Sequence, residues 1–314
     1  MAVTQMNRRD LLVGSTGFVG ENILREHEFY ATCHSTDVEI QFGSMPDLCV
    51  YAGIPAAMFL ANSNPSADLD VMKNARENIR KIKAKRIVLI SSVAVYSNSK
   101  GKDEASPISE EDLPPYGKNR LQLEKWVRED FDNVLIVRLP ALYGIGLKKN
   151  FLYDIHTITP AMLKPEKYAE LSEKNDLIAS GYSLKENGFY CLNHHSDKRK
   201  LKEFFIKNDF NALSFTDSRS RYQFYNLSRL WQDIEIGLTN DIEVLNLCTP
   251  PVSAKKVYFT VTGMDNWENK NTEKPYDYDM KSIYAEIFGG KDGYMCTEDE
   301  ELSDIRNFML SWGD

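Results

Sequence analysis

The sequence predicts an α/β protein built on a doubly wound parallel sheet (a Rossmann arrangement), with a smaller C-terminal lobe. Three observations point there. Short apolar runs alternate with amphipathic stretches through the first half of the 314 residues, the pattern of parallel strands joined by crossover helices. The first of those runs passes directly into a glycine-punctuated turn, Gly14-Ser15-Thr16-Gly17-Phe18-Val19-Gly20, that opens a helix. Near Asn150 the alternation stops, and the chain turns polar, aromatic-rich and irregular as far as Ser220. Residues 1–147 are therefore expected to form the sheet domain and 148–314 mainly a second lobe, with segments around 224–247 returning to the first.

In chain order, strands are expected at Asp10–Val13, Leu48–Ala52, Arg86–Ser91 and Val134–Leu139, with Phe29–Cys33 as a less regular fifth. Between them, Asp68–Ala84 carries Leu69, Val71 or Met72, Ile79 and Ile82 at helical spacing, and Leu121–Phe131 repeats Leu121, Leu123, Trp126 and Val127 on one face. Leu227–Leu238 reads as a further helix, Glu243–Leu247 as a strand, and Val257–Val261 as strand-like.

Composition narrows the function. Apolar residues make up 42% and charged residues 27%, and no apolar run approaches the roughly 20 residues that span a bilayer. With 38 Lys and Arg against 46 Asp and Glu, the net charge is -8, so neither nucleic acid nor an anionic membrane is an expected partner. A small molecule is. Cys33, Cys49, Cys191, Cys248 and Cys296 are scattered, without zinc-knuckle or disulfide spacing, and fit a reducing cytoplasm. Asn7-Arg8-Arg9-Asp10-Leu11-Leu12 superficially resembles a twin-arginine export signal, but its apolar stretch is too short for the roughly 7 to 15 residues required.

The glycine turn has the logic of a dinucleotide cradle. Gly14 allows the sharp turn, Gly17 allows backbone N–H groups to approach a pyrophosphate, and Gly20 allows close packing of helix on strand. The helix N-terminus adds unpaired donors and a favourable dipole. The G-x-x-G-x-x-G spacing with Thr16 resembles the extended short-chain dehydrogenase/reductase superfamily, in its branch that modifies sugar nucleotides. Further landmarks agree in order and spacing. Asp47 to Gly53 resembles the family's fourth strand, ending at Ala52 and Gly53 beside the cofactor; Ile90-Ser91-Ser92-Val93-Ala94-Val95-Tyr96 resembles its S-S-x-x-V-Y strand end. Pro115-Tyr116-Gly117-Lys118-Asn119-Arg120-Leu121 resembles its P-Y-G-x-S-K-L helix start. Val137 to Gly144, including Pro140, resembles R-x-x-N-V-Y-G, and Phe224 to Leu230 resembles F-x-H-V-x-D-L.

That resemblance implies a hydride transfer coupled to movement of a proton on the attached hydroxyl. Tyr116 is then the proton-transfer group and Ser92 the hydroxyl that orients the substrate oxygen. A free tyrosine, with a pKa of about 10, is a poor base near neutrality unless a fixed cation favours the phenolate. The family's lysine is Arg120 here, which shares a helix face with Tyr116 and keeps the charge, though not the shape, of an ammonium. Val93-Ala94 stands where dehydratases of this branch carry Asp-Glu, so elimination of water is disfavoured, and Ala141 replaces an asparagine that commonly meets the sugar nucleotide. The implied cofactor contacts are Gly14, Ser15, Thr16, Gly17, Phe18, Val19, Gly20, His34, Ser35, Ala52, Gly53, Ser91 and Pro140. Cys33-His34-Ser35-Thr36 offers neither the acid that favours NAD nor the arginine that favours NADP; NAD is preferred, with NADP as the alternative.

Lys149 and Arg221 are the substrate-binding candidates, placed to meet the phosphates of a nucleotide sugar; Lys148 and Arg219 are their neighbours in the same reading. His194-His195 lacks a third ligand, so no metal is assigned. Lys198 to Lys202 reads as a solvated helix start, and the acidic Ser99–Glu111 stretch as a loop that closes over a sugar or stays in water. The expected activity is an NAD(P)-dependent epimerase or ketoreductase of a nucleotide-activated sugar, in surface polysaccharide synthesis. A non-catalytic NAD(P)-binding sensor or scaffold, and a reductase of a non-sugar carbonyl, stay open, as does a homodimer through the two helices of the first lobe.

Overall fold

The computed structural model describes residues 8–312. Its chain divides into two compact units. The first runs through Gly146 and takes in Arg221–Val252 and Asp277–Phe308; the second comprises Leu147–Ser220, Ser253–Tyr276 and the residues from Met309 onward.

The first unit is a six-stranded parallel sheet. β1 (Asp10–Val13), β2 (Ala31–Cys33), β3 (Leu48–Tyr51), β4 (Ile87–Ser92) and β5 (Val134–Leu139) are joined by a late strand, Val244–Asn246, in the spatial order Val244–Asn246, β5, β4, β3, β1, β2. The strands read as continuous apolar runs because both faces are covered. Alternate residues of β1 show this: Leu12 faces a core with Ile23, Trp231 and Ile234, whereas Leu11 and Val13 face one with Met72, Ile79, Leu123 and Val127.

α1 (Phe18–Glu26) lies on the first face with the helix Leu230–Thr239; α3 (Pro65–Ile82) and α4 (Pro115–Asp130) cover the second. A short α2 (Met58–Ser63) precedes α3. The helical spacing in α3 resolves in favour of Met72, which is buried, over Val71, which is exposed. α3 begins at Pro65, capped by Asn64, and α4 begins at Pro115, both earlier than the apolar periodicity alone indicates.

Two expectations need correction. The Asp47–Gly53 segment carries the third strand in chain order, not the fourth, because residues 34–47 hold only a 3-10 turn at Val38–Gln41, too little chain for a further helix and strand. Val257–Val261 is helical: Ser253 caps a helix, Ala254–Thr262, whose far end is closed by Gly263 at φ +72°. The apolar run there buries Val257 and Tyr258 on one helix face, and a short run of that length does not separate strand from helix.

Arg8 and Arg9 are tied to the sheet's beginning. Arg8 pairs with Asp10 and Glu235, both at 2.6 Å, and Arg9 donates to the Met45 carbonyl. Asn7, which precedes them in the export-like motif, lies outside the described residues. No helix among the described residues is long and apolar enough to cross a membrane.

The second unit has a small antiparallel sheet, Met162–Leu163, Tyr190–Leu192 and Tyr182–Leu184, with the middle strand paired to both others. Helices Pro165–Ser172, Asp176–Gly181 and Lys198–Ile206 close its core of Leu163, Leu171, Ile178, Tyr182, Leu201 and Phe205. On the helix Phe151–Thr157 of this unit, burial pushes the Asp154 carboxyl up to about 7. Its neutral form is the one the fold favours, so stability is greatest below the unfolded value near 4 and falls as pH rises toward 7, by up to about 4 kcal/mol. Asp154→Asn should therefore raise the melting temperature at pH 8 and leave it nearly unchanged at pH 4. Thermal melts at the two pH values check this, and an equal gain at both would show that ionisation is not the cause.

Candidate active site

The sheet reverses its winding between β1 and β3, so the loops leaving these two adjacent strands diverge at their carboxyl ends, the place where doubly wound sheets take their ligands. Gly14 leaves β1 there at φ +89°, a conformation that side chains rarely adopt. A Cβ on it would lie 2.7 Å from the backbone of Gly53 at the end of β3, and a Cβ on Gly20 would collide with the Gly14 carbonyl oxygen. The turn is pinned to β2, since the N–H groups of Gly14 and Ser15 both donate to the Cys33 carbonyl, at 2.8 and 3.2 Å. Ser15 Oγ donates to the same oxygen.

No side chain caps α1, whose N-cap is Gly17. The first N–H groups of this helix thus have the geometry that receives an anion. Thr16 Oγ1 and His34 Nδ1 share a hydrogen bond of 2.8 Å across the mouth of the turn, and Ser35 packs against Gly53. Gly14, Ser15, Thr16, Gly17, Phe18, Val19, Gly20, His34, Ser35, Ala52 and Gly53 are accordingly brought to one strand-end cluster. Pro140 follows β5 and leads into a short strand, Ala141–Tyr143, that pairs with Phe224–Asn226.

Ser92 ends β4, and its Oγ accepts from the Ala94 N–H at 3.2 Å. An oxygen engaged in that way still has its own proton to donate. Tyr116 sits in the first turn of α4, 7% exposed, with its N–H donated to Asn62 Oδ1 at 2.9 Å. The approach of α4 to the end of β4 depends on Gly117, because a Cβ there would collide with the Ala94 carbonyl. Ser92 and Tyr116 are thus held by two elements in backbone contact.

Arg120 is 3% exposed and lies over the Tyr116 ring, its guanidinium carbon 4.0 Å from the ring centroid. Its two terminal nitrogens donate to the Asp68 carboxylate and, at 2.7 Å, to the Pro55 carbonyl. Asp68 Oδ2 also accepts from Asn119 Nδ2 at 2.8 Å. Asn62, Asp68 and Asn119 escaped sequence reasoning. The signal that was available is an Asn-Arg pair on the tyrosine's helix, matched to an Asp in the first turn of α3.

The Ser91 hydroxyl enters a buried network, donating to Glu124 Oε1 at 2.5 Å. Glu124 pairs with Arg138, which donates to the Tyr96 hydroxyl at 2.7 Å; Asn246 also donates to that hydroxyl. The Ser99–Glu111 loop hangs from this network. Tyr96 donates to the Asp103 carbonyl, and Glu104 accepts from Asn246 N, Ser282 Oγ and Ile283 N. Burial raises the Glu104 carboxyl above its ordinary range despite these donors. The loop is therefore an anchored strap, not a freely solvated one.

The phosphate candidates are already engaged. Arg221, in the first unit, pairs with Asp277 at 3.2 Å. In the second unit Arg219 makes a two-pronged contact with Asp217 at 2.9 and 2.7 Å, and Lys149 is exposed. Lys198 to Lys202 starts the helix Lys198–Ile206, with Asp197 as its cap and Arg199 and Lys200 in exposed ion pairs. His194 and His195 lie in the turn after Tyr190–Leu192; among the described residues no group of three His, Cys, Asp or Glu is placed to hold a metal.

Residues 9–161 match the family model described as the RmlD substrate binding domain. No curated protein matches the chain by sequence. Among solved structures, the fold is similar to a dTDP-4-dehydrorhamnose reductase from Bacillus anthracis in complex with NADP, at 15% identity and TM-score 0.62, over 98% of this chain and 99% of that one. It is also similar to the Yersinia enterocolitica dTDP-4-dehydrorhamnose reductase, at 14% identity and TM-score 0.62, over 98% and 100%. The Bordetella bronchiseptica enzyme WbmG, in complex with NAD and UDP, matches at 14% identity and TM-score 0.61, over 100% and 97%.

The contact of Gly117 with the Ala94 carbonyl is directly testable. Gly117→Ala should destabilise the chain by about 1–3 kcal/mol, the usual cost of forcing volume into a packed contact, even though alanine is the better helix former. Urea unfolding monitored by circular dichroism measures it, and a neutral or stabilised variant would mean that α4 and the β4 end separate freely.

Proposed function

We infer that this chain is a member of the extended short-chain dehydrogenase/reductase superfamily: an NAD(P)-dependent epimerase or ketoreductase that acts on a nucleotide-activated sugar, in the cytoplasm, for surface polysaccharide synthesis. The observation that carries the reading is the convergence, at one end of one parallel sheet, of an uncapped glycine turn with a serine and a tyrosine held by contacting elements. The family match over 9–161 and the fold shared with NAD- and NADP-bound enzymes support it.

The glycine turn fits a dinucleotide, because side chains at Gly14 and Gly20 would fill the space that brings the helix N-terminus to the strand ends. Gly14 to Gly20 would hold the pyrophosphate, with His34 and Ser35 beside the adenosine ribose and Ala52, Gly53, Ser91 and Pro140 along the remaining strand ends. Neither acid nor arginine stands at Cys33 to Thr36; NAD is the first choice and NADP the alternative. The cofactor's contribution is hydride exchange with a sugar carbon. The chain supplies the rest. The Ser92 hydroxyl donates to the substrate oxygen and fixes it; the Tyr116 phenolate would take that oxygen's proton in oxidation, and its phenol would return it in reduction. Arg120 places positive charge against the tyrosine ring. Val93 and Ala94 have no proton to give a leaving hydroxyl, which weighs against a dehydratase. Lys149 and Arg221 are assigned to the nucleotide phosphates, and a homodimer through the outer faces of α3 and α4 accompanies the reading.

A second reading, a non-catalytic NAD(P)-binding protein, is favoured by Arg120 and Ala141, which stand where the resemblance has lysine and asparagine. Cofactor identity is tested first, and turnover with and without the Tyr116 hydroxyl then separates the two readings. The small molecules released on denaturing freshly purified protein are identified by mass spectrometry, and NADH and NADPH are titrated into protein that releases none. Retained NAD favours an epimerase, reversible NADPH binding a net reductase, and no binding of either at millimolar concentration removes the reading of Gly14 to Gly20. Tyr116→Phe should then lower turnover of a nucleotide sugar by at least about a hundredfold while the dinucleotide Kd stays within about threefold. Unchanged turnover would take the proton-transfer role from Tyr116.

A further inference from the structure

We propose that Asp68 is a positioning residue for Tyr116: it fixes Arg120 against the face of the tyrosine ring, with the guanidinium donors turned to the protein instead of to a bound dinucleotide. The inference rests on the reading of Tyr116 as the proton-transfer group and goes beyond it, since it assigns the cation's work to the tyrosine alone.

Three observations carry it. Each terminal nitrogen of Arg120 donates to a protein acceptor in a different segment, the Asp68 carboxylate on α3 and the Pro55 carbonyl after β3. A planar fork held at two points has one orientation, whereas a lysine on its flexible stem would pivot. The orientation selected sets the guanidinium over the Tyr116 ring at 4.0 Å, in a side chain only 3% exposed. Asp68 is itself fixed. Its Oδ2 takes a second hydrogen bond from Asn119, whose amide also donates to the Pro65 carbonyl at 3.0 Å. It also lies in the first turn of α3, where the helix dipole suits a carboxylate. With Asn62 accepting from the Tyr116 N–H, segment 55–68 grips the tyrosine's turn through backbone, ring and counter-charge together.

The test uses the full chain labelled with ring-carbon-13 tyrosine, and NADH and NADPH as probes. Asp68→Asn keeps the shape and removes the charge. Because it leaves a buried guanidinium without its partner, the double variant Asp68→Asn with Arg120→Gln, which carries neither charge, is made beside it. We expect the Tyr116 ring signal, assigned by its loss in Tyr116→Phe, to move in whichever variants fold, while the other tyrosine signals hold and the dinucleotide Kd stays within threefold. An unmoved Tyr116 signal overturns the proposal. So does a general displacement of the tyrosine signals, which would mean a merely structural pair. A tenfold or greater rise in Kd in the double variant also overturns it, because Arg120 would then contact the cofactor. A parent chain that binds neither dinucleotide overturns the enzyme reading first, and is told apart from the other outcomes by the parent's own titration.

Discussion

Backbone-to-backbone approach at the carboxyl end of the sheet is the constraint on which the site depends. At Gly14, Gly20 and Gly117 the neighbour is main chain, which cannot rotate out of the way as a side chain can. The first two bring the start of α1 onto the ends of β1 and β3; the third brings the start of α4 onto the end of β4. Two helix beginnings are thereby set against adjacent strand ends. One has no side-chain cap on its first N–H groups, and the other carries Tyr116 in its first turn and Gly117 against the Ala94 carbonyl just past Ser92. A methyl group at any of these positions would push a helix outward and part the groups that have to converge, so the precision of the site comes from the absence of atoms.

Behind this surface the sheet buries polar groups that a core would ordinarily exclude. Ser91, Arg138 and Asn246 stand in register across β4, β5 and the edge strand, and all three enter the network of Glu124, Tyr96 and Glu104. Desolvating Glu124 and Arg138 costs several kcal/mol per ion, which their attraction and added hydrogen bonds roughly offset, so net stability is a poor explanation for the pair. Geometry is a better one. Each hydrogen bond ends on a different segment: α4, β5, the strap at 99–111, and the stretch that begins at Met280. The strap is locked to the sheet's edge with one arrangement of donors and acceptors, and leaving any of them unmet would be costly.

The sheet was legible because buried parallel strands are continuous apolar runs, and β1 and β5 fall on the expected residues. The glycine turn was legible for a related reason: close approach demands glycine, and glycine at fixed spacing is visible in one dimension. What stayed hidden is pairing across distance. Nothing local marks Asp68 as the partner of Arg120, or Glu104 as the acceptor for Asn246, because an acid in a helix turn or a loop reads as solvated until the fold brings its partner. Local apolar content likewise failed to separate helix from strand at Val257–Val261, where Ser253 and Gly263 are the informative residues and the apolar ones are not. Close-approach glycines are therefore easier to see in one dimension than the distant partners of Arg120 and Asn246.

The exchange of lysine for arginine shows why such hidden partners matter. An ammonium is a compact charge on a flexible stem and can serve two masters, a tyrosine and a ribose, by rotating its three donors. A guanidinium spreads its charge over a plane with donors fixed around its rim. Set over the Tyr116 ring in a water-poor position, those donors need acceptors. The carboxylate of Asp68 and the carbonyl of Pro55 each accept one of them. The arginine here meets acceptors from two places, the main chain at Pro55 after β3 and the Asp68 carboxylate in the first turn of α3. Removing Asp68 or Arg120 alone leaves the other charge without its partner in a water-poor position.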